Sequence, residues 1–197
     1  MTGKIELAKS AIENSFGIKC ESMSFNQLQF SFEINKILDL VEFIKNDPAC
    51  EFRQITDIAG VDFPDQPKRF KVIYHFLSFK HNIRLRLKTK LSENESLLSI
   101  TSLFPAANWF EREAFDMYGI QFKDHPDLRR ILTDYGFEGY PLRKDFPLTG
   151  NVEIRYDEID KKIVHEPVKL QQDFRSFDVQ SPWEGTKYIE EESSNSE

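Results

Sequence analysis

The stretch RFKVIYHFLSFKHNIRLRLKTKL, residues 69–91, narrows the choice of fold more than any other. Side chains of an extended chain alternate between two faces. Phe70, Val72, Tyr74 and Phe76 therefore share one face, and Ile73, His75 and Leu77 share the other. A run that is largely apolar on both faces suits the interior of a sheet. Lys80, His81 and Asn82 form a turn, after which Ile83, Leu85 and Leu87 point one way and Arg84, Arg86, Lys88 and Lys90 the other. One sheet must therefore frame the chain.

The flanking segments supply its neighbours. Residues 4–15 place Ile5, Ala8, Ala11 and Ile12 on one side of a short helix. In QLQFSFEI, Leu28, Phe30, Phe32 and Ile34 alternate with polar residues as in a half-buried strand. Asn35 is placed to cap a helix with Ile37, Leu38, Val41 and Ile44 on its apolar face, and Asp47-Pro48 stops it. A strand over FRQITDIAGVDF and a last one near 97–103 follow. Pro105 then opens a helix through AANWFEREAFDMY that ends at Gly119. The expected class is α+β: a mixed or antiparallel sheet with helices packed on one face, plus an extended C-terminal arm. Residues 1–150 would form the core domain and residues 151–197 an arm, with strand-like pieces at 152–156 and 161–164. Phe174, Phe177, Trp183 and Tyr188 stand isolated in that arm, and its acidic end, EEESSNSE, is expected to be disordered.

The chain lacks the common signatures of chemistry. It has no glycine-rich phosphate loop, its two cysteines (Cys20 and Cys50) form no CxxC, and its four histidines (His75, His81, His125 and His165) are scattered. Two reduced thiols of a cytosol-like compartment are the expectation for the cysteines. No apolar run approaches a membrane span, and the start of the chain resembles neither a secretory signal nor a transit peptide. The net charge of −7 argues against nucleic acid as a partner. The alternative of an RNA-binding sheet rests on the basic row at 84–90, but the aromatic ribonucleoprotein motif is absent.

What stands out instead is residues 105–147. In NWFEREAFDMYG, Phe110, Ala114 and Met117 make a core stripe, and Arg112 and Asp116 are spaced for an ion pair within the helix. Trp109 and Phe115 lie off that stripe, as a second packing surface would require. In HPDLRRILTDYGFEGYPLRKDFP, Pro126 can start a short helix, with Leu128, Ile131 and Leu132 on one face and Arg129 and Arg130 on the other. Aromatics and arginines are the residues that most often anchor interfaces. A docking segment is favoured over a catalytic one.

These same residues carry a resemblance. EREAFDMYGIQFKDHPDLRRIL spans residues 111–132, with Glu111, Arg112, Glu113, Asp116, His125, Arg129 and the pair Ile131-Leu132 at fixed spacing. TDIAGVDFP at 56–64, DYGFEGYPLRKDFPL at 134–148 and FDVQSPWE at 177–184 add to it. The pattern resembles the 30-kDa subunit family of respiratory complex I, the NADH:quinone oxidoreductase, in its proteobacterial and mitochondrial branch. The resemblance implies a chain without flavin, Fe–S cluster or quinone site of its own, the FMN and clusters being held by partner subunits. It implies a place in the hydrophilic arm beside the large 49-kDa quinone-site neighbour. Membrane association would come through the complex, on the cytoplasmic side of a bacterial inner membrane, or on the matrix side if organelle-encoded. The expected interface residues are Trp109, Glu111, Arg112, Glu113, Asp116, His125, Arg129, Arg130, Tyr135, Arg143, Lys144 and Asp145. On this reading, replacing Arg129, Arg130 or Arg143 by Ala lowers assembly and leaves the isolated domain folded.

Overall fold

A computed structural model describes residues 2–24, 26–170 and 172. The chain divides into two units, Met1–Leu148 and Thr149–Glu197. In the first unit the order is α1 (Thr2–Phe16), β1 (Cys20–Ser24), β2 (Gln27–Ser31), a 3₁₀ turn (Ile34–Lys36), α2 (Ile37–Asn46), β3 (Gln54–Asp62), β4 (Phe70–Ser78), β5 (Ile83–Leu91), β6 (Ser96–Leu98), α3 (Ala107–Tyr118) and β7 (Gln121–Lys123).

Five strands form the sheet in the order β1-β2-β5-β4-β3. β2 runs parallel to β5 and the other neighbours are antiparallel, so the sheet is mixed as expected. The alternation of residues 69–91 sets its two faces. Phe70, Val72, Tyr74 and Phe76 are buried, as are Ile83, Leu85 and Leu87 next to them. A bulge between Ile55 and Asp57 shifts β3 so that Ile58, Gly60 and Asp62 register with Tyr74, Val72 and Phe70 on this inner face. Ile5, Ala8 and Ile12 of α1, Ile37, Leu40, Val41 and Ile44 of α2, and Ala107 and Ala114 of α3 join the same core. Each large side chain removed from water there contributes roughly 1.5–3 kcal/mol. On the outer face Ile73, His75 and Leu77 stay half-buried.

Local differences from the sequence expectation have local causes. Ile34 leaves the strand for the 3₁₀ turn, and the Lys36 N–H bonds the Glu33 carbonyl at 3.0 Å. That turn takes the place of an Asn35 cap, and Lys36, at the N-cap of α2, makes no side-chain cap bond. The strand expected at 97–103 ends at Leu98, because the N–H groups of Leu103 and Phe104 both fold back on the Ile100 carbonyl. The same turn puts Pro105 ahead of α3 rather than at its first position; its carbonyl accepts the Asn108 N–H at 3.2 Å. β6 pairs in parallel with β7, a strand the hydrophobic pattern did not mark.

The second unit contains an antiparallel hairpin of β8 (Val152–Asp157) and β9 (Lys162–Pro167). The expected aromatic positions 174, 177, 183 and 188, the 177–184 segment and the acidic end lie outside the described residues. Among the described residues no helix is long and apolar enough to cross a membrane.

Candidate functional site

Residues 125–147 are irregular; the buried carboxylates of Asp116 and Asp62 hold them, and that of Glu111 lies 3.9 Å from His125 at their start. Glu111, Asp116 and Asp62 each have a side chain fully removed from solvent. A buried carboxylate is costly unless its oxygens are satisfied by donors. The donors here come from the segment itself and from the turns that frame it.

Asp116 is the centre. Its Oδ2 accepts the N–H groups of Ile131, Leu132 and Thr133 at 3.0, 2.7 and 2.9 Å. Its Oδ1 accepts the Thr133 hydroxyl at 2.6 Å and Arg130 Nη1 at 2.9 Å. Burial alone would raise its pKa, but the bonds from Thr133, Leu132 and Ile131 outweigh this and hold it well below the usual carboxylate range. The N–H groups of 131–133 are spent on Asp116 rather than on carbonyls four residues earlier, so the short helix expected after Pro126 does not form. The expected Arg112–Asp116 pair is also absent. Arg112 instead donates to the carbonyls of Arg129 and Arg130 at 3.1 and 3.0 Å. Arg130 reaches onward to the Gly139 carbonyl at 2.9 Å and lies over the Phe137 and Tyr140 rings.

Asp62, at the end of β3 on the inner face, holds the far end of the segment. Arg69 grips it with two bonds, Nε to Oδ1 at 2.7 Å and Nη2 to Oδ2 at 3.0 Å, and Oδ2 also accepts the Lys144 N–H at 2.8 Å. The Arg69 bonds, helped by Lys144, lower the Asp62 pKa. Arg69 pairs with Asp145 as well, at 2.9 Å. Arg143 donates to the Tyr118 carbonyl at 2.6 Å, pairs with Glu93, and lies 5.0 Å from the Phe70 ring and 4.4 Å from that of Tyr140. This close approach needs a glycine at 119. Its φ is +78°, and a Cβ there would sit 2.6 Å from Arg143 Nη2 and 2.7 Å from the Tyr140 ring. Gly60 serves the same end on β3, where a Cβ would meet the Tyr118 ring at 2.6 Å.

Glu111 ties α3 to the turn that follows β6. Its oxygens accept the Ser99 hydroxyl at 2.6 Å and the Ile100 N–H at 2.8 Å. His125 Nδ1 accepts the Asp127 N–H at 3.0 Å, so its proton is on Nε2, which donates to the Asn108 carbonyl at 3.1 Å. These two bonds fix the ring 3.9 Å from Glu111. Burial pushes Glu111 up to about 7, against the pull of its two bonds. A carboxyl whose folded pKa is raised favours the folded state most below its unfolded value, and that contribution is lost as pH rises through the folded value. Thermal stability is therefore expected to decline between about pH 4.5 and 7 by up to roughly 3 kcal/mol relative to Glu111→Gln, which removes this titration. Parallel pH–stability curves for the two proteins would refute it.

The twelve expected interface residues thus separate into two groups. Glu111, Arg112, Asp116, His125, Arg130 and Arg143 are engaged within the chain. Trp109 (68% exposed), Glu113, Arg129, Tyr135 (98% exposed) and Lys144 face outward, as does Asp145 beside Arg69. Leu132, Leu142 and Leu148 are exposed among them. Sequence reasoning missed Asp62, Arg69, Ser99 and Thr133. One sign was available for Glu111: the spacing Ala107, Glu111, Ala114 puts a carboxylate on an inward stripe.

A family model described as the respiratory-chain NADH dehydrogenase 30 Kd subunit matches residues 30–152. A NADH-quinone oxidoreductase subunit of Cereibacter sphaeroides is 56% identical over 167 residues, 85% of this chain and 84% of that protein. The protein of the same name from a Methylobacterium species is 50% identical over 190 residues, 95% of this chain and 88% of its own length. Among solved structures, a chain of the membrane-bound sulfane sulfur reductase, an archaeal respiratory membrane complex, superposes with a TM-score of 0.64. It is 24% identical and the match covers 75% of this chain and 87% of that one, a likeness of fold.

Proposed function

Because this chain belongs to the family of the 30-kDa subunit of respiratory-chain NADH dehydrogenase, we propose that it serves its complex as a structural subunit whose docking surface is the outward side of residues 109–148. It is a subunit of the NADH:quinone oxidoreductase, and the other subunits of that complex are its partners. The observation that carries the structural reading is the commitment of its charged side chains. Arg112, Arg130 and Arg143 all bond within the chain, so the segment is a rigid surface rather than a set of free reactive groups. Redox chemistry is assigned to the neighbours: FMN and Fe–S clusters in partner subunits carry electrons from NADH to quinone, coupled to proton translocation. The exposed side chains of Trp109, Arg129, Leu132 and Tyr135 are assigned to the 49-kDa quinone-site subunit, with this chain peripheral to the membrane, held there through the complex, on the cytoplasmic side.

The RNA-binding alternative is not retained. The outward positions of the five strands present Ile73, Leu77, Ala59 and Val61 beside the basic row, and the ring that follows β3, Phe63, is capped by Lys71 at 4.7 Å, so no row of open aromatics offers itself to bases.

Trp109→Ala combined with Tyr135→Ala tests the assignment. Both side chains are exposed in the chain alone, so its melting temperature should hold within about 2 °C. Recovery of the chain in the assembled complex, read on native gels, should fall at least about tenfold. Normal assembly, or a fall in turnover with assembly intact, would overturn it. Arg129→Ala is a milder version, since Arg129 pairs only with exposed Asp127 at 2.8 Å among the described residues.

A further inference from the structure

The outer face of the sheet carries a pattern that neither the fold nor the docking segment uses. All three helices pack on the inner face. On the outer face, registered strand positions place Ala59 beside Ile73 and Val61 beside Lys71, with Leu77 further along β4. This apolar row is half-buried, and within Met1–Leu148 no helix covers it. Next to it runs a cationic row of Arg84, Arg86, Lys88 and Lys90, with Lys71 beside Lys90. The facing acids are Glu21 and Asp57, so the face is cationic on a chain whose net charge is −7. Among the described residues only Lys88 of these five cations has a carboxylate within ion-pair distance, Glu21 at 2.5 Å. Arg86 Nε is buried with no hydrogen-bond partner. At one end Lys71, Lys88 and Lys90 continue into a groove of about 1110 Å³ that adds Lys68 and Lys123, with Glu21, Glu33 and Glu95 also on its walls.

We propose that this face is a second interface, covered in the assembled complex by an amphipathic acidic helix of another subunit. It rests on the subunit reading but not on which neighbour meets residues 109–148. A strand apolar on both faces is covered on both faces in most proteins, and a helix is the usual cover of a sheet that already carries helices on its other side. The cationic row from Arg84 to Lys90 spans roughly 20 Å at 3.4 Å per residue, the length of a helix of about 13 residues. An apolar stripe on that helix would lie along Ala59, Val61, Ile73 and Leu77. Its acidic edge would lie along Arg84, Arg86 and Lys90. A second copy of this chain is disfavoured, because it would set cations against cations.

Carbodiimide, which joins an amine to a carboxylate in direct contact, should be applied to the complex assembled with this chain. Lys88 coupled to Glu21 is the internal control. The expected product is Lys71 or Lys90 coupled to an Asp or Glu in a helical stretch of another subunit. The double substitution Arg84→Glu with Arg86→Glu should abolish that coupling and lower recovery of the chain in the complex at least about tenfold. It should leave the purified chain folded. If it does not fold, Arg84→Gln with Arg86→Gln replaces it, and the coupling decides. The neighbour lost should differ from the one lost with Trp109→Ala and Tyr135→Ala, which separates failure of this proposal from failure of the docking assignment. Coupling confined to this chain, a self-dimer joined through Lys71 or Lys90, or RNA bound to the purified chain and lost in the double variant would each overturn it.

Discussion

Replacing Asp116 by Ala is expected to lower the stability of the chain by about 3–5 kcal/mol, as loss of one partner from a buried ion pair does. The carboxylate satisfies three consecutive N–H groups, a hydroxyl and a guanidinium, and Ala satisfies none. Arg130 would lose its carboxylate, and its hold on the Gly139 carbonyl with it. The melting temperature should fall by about 10 °C or more, and the amides of Ile131, Leu132 and Thr133 should exchange with solvent far faster. Asp116→Asn should fall between, since one oxygen remains for the amides but the charge opposite Arg130 is gone. The pH dependence has a definite sign. A depressed folded pKa contributes stability above the unfolded value and loses it as pH falls through the folded value. The gap between wild type and Asp116→Ala should therefore stay constant at neutral pH and narrow only in strong acid. An unchanged melting temperature would remove Asp116 as the anchor.

Arg69→Ala is expected to be comparably severe, about 3–5 kcal/mol, for a different reason. It strands Asp62, whose side chain is fully buried, with the Lys144 N–H as its remaining donor. The telling experiment is the cycle with Asp62→Asn. Removing the charge from both positions should restore part of what Arg69→Ala loses, because the penalty comes from the uncompensated carboxylate. If the losses simply add, the pair is not coupled. In both anchor variants assembly should fall together with the stability of the isolated chain. The same holds for Arg130 and Arg143, whose side chains are 25% and 14% exposed and bonded internally. Their loss is therefore expected to lower the stability of the isolated domain as well as assembly. Arg129, 63% exposed, remains a clean probe of the outward face.

The contrast shows what the sequence made legible. Strands were readable because alternation is a local property: Phe70 to Phe76 and Ile83 to Leu91 declare their buried faces within nine residues each. Gly119 as a helix end was equally local, since the left-handed conformation it adopts has few other candidates. The anchors were not readable, because their partners are distant. The Lys144 amide is 82 residues from Asp62, and the Thr133 amide is 17 from Asp116. A helical wheel sees Arg112 four residues before Asp116 and pairs them. It cannot see three amides arriving from another segment. The order β2-β5 was hidden for the same reason, since Gln27–Ser31 and Ile83–Leu91 meet only through a parallel seam.

That seam also sets an order of events. β1 with β2, and β3 with β4 and β5, can each zip through short connections, whereas joining β2 to β5 closes a loop that contains α2, β3 and β4. Non-local pairings slow folding because closure must precede the contacts that reward it, so the seam is expected to limit the folding rate. Residues 125–147 come later still. Their anchors stand on β3 and α3 and are in position only once those elements are packed. A neighbour that recognises the outer contour of this segment therefore also reads whether the sheet behind it has closed, and an unfinished chain presents nothing to recognise.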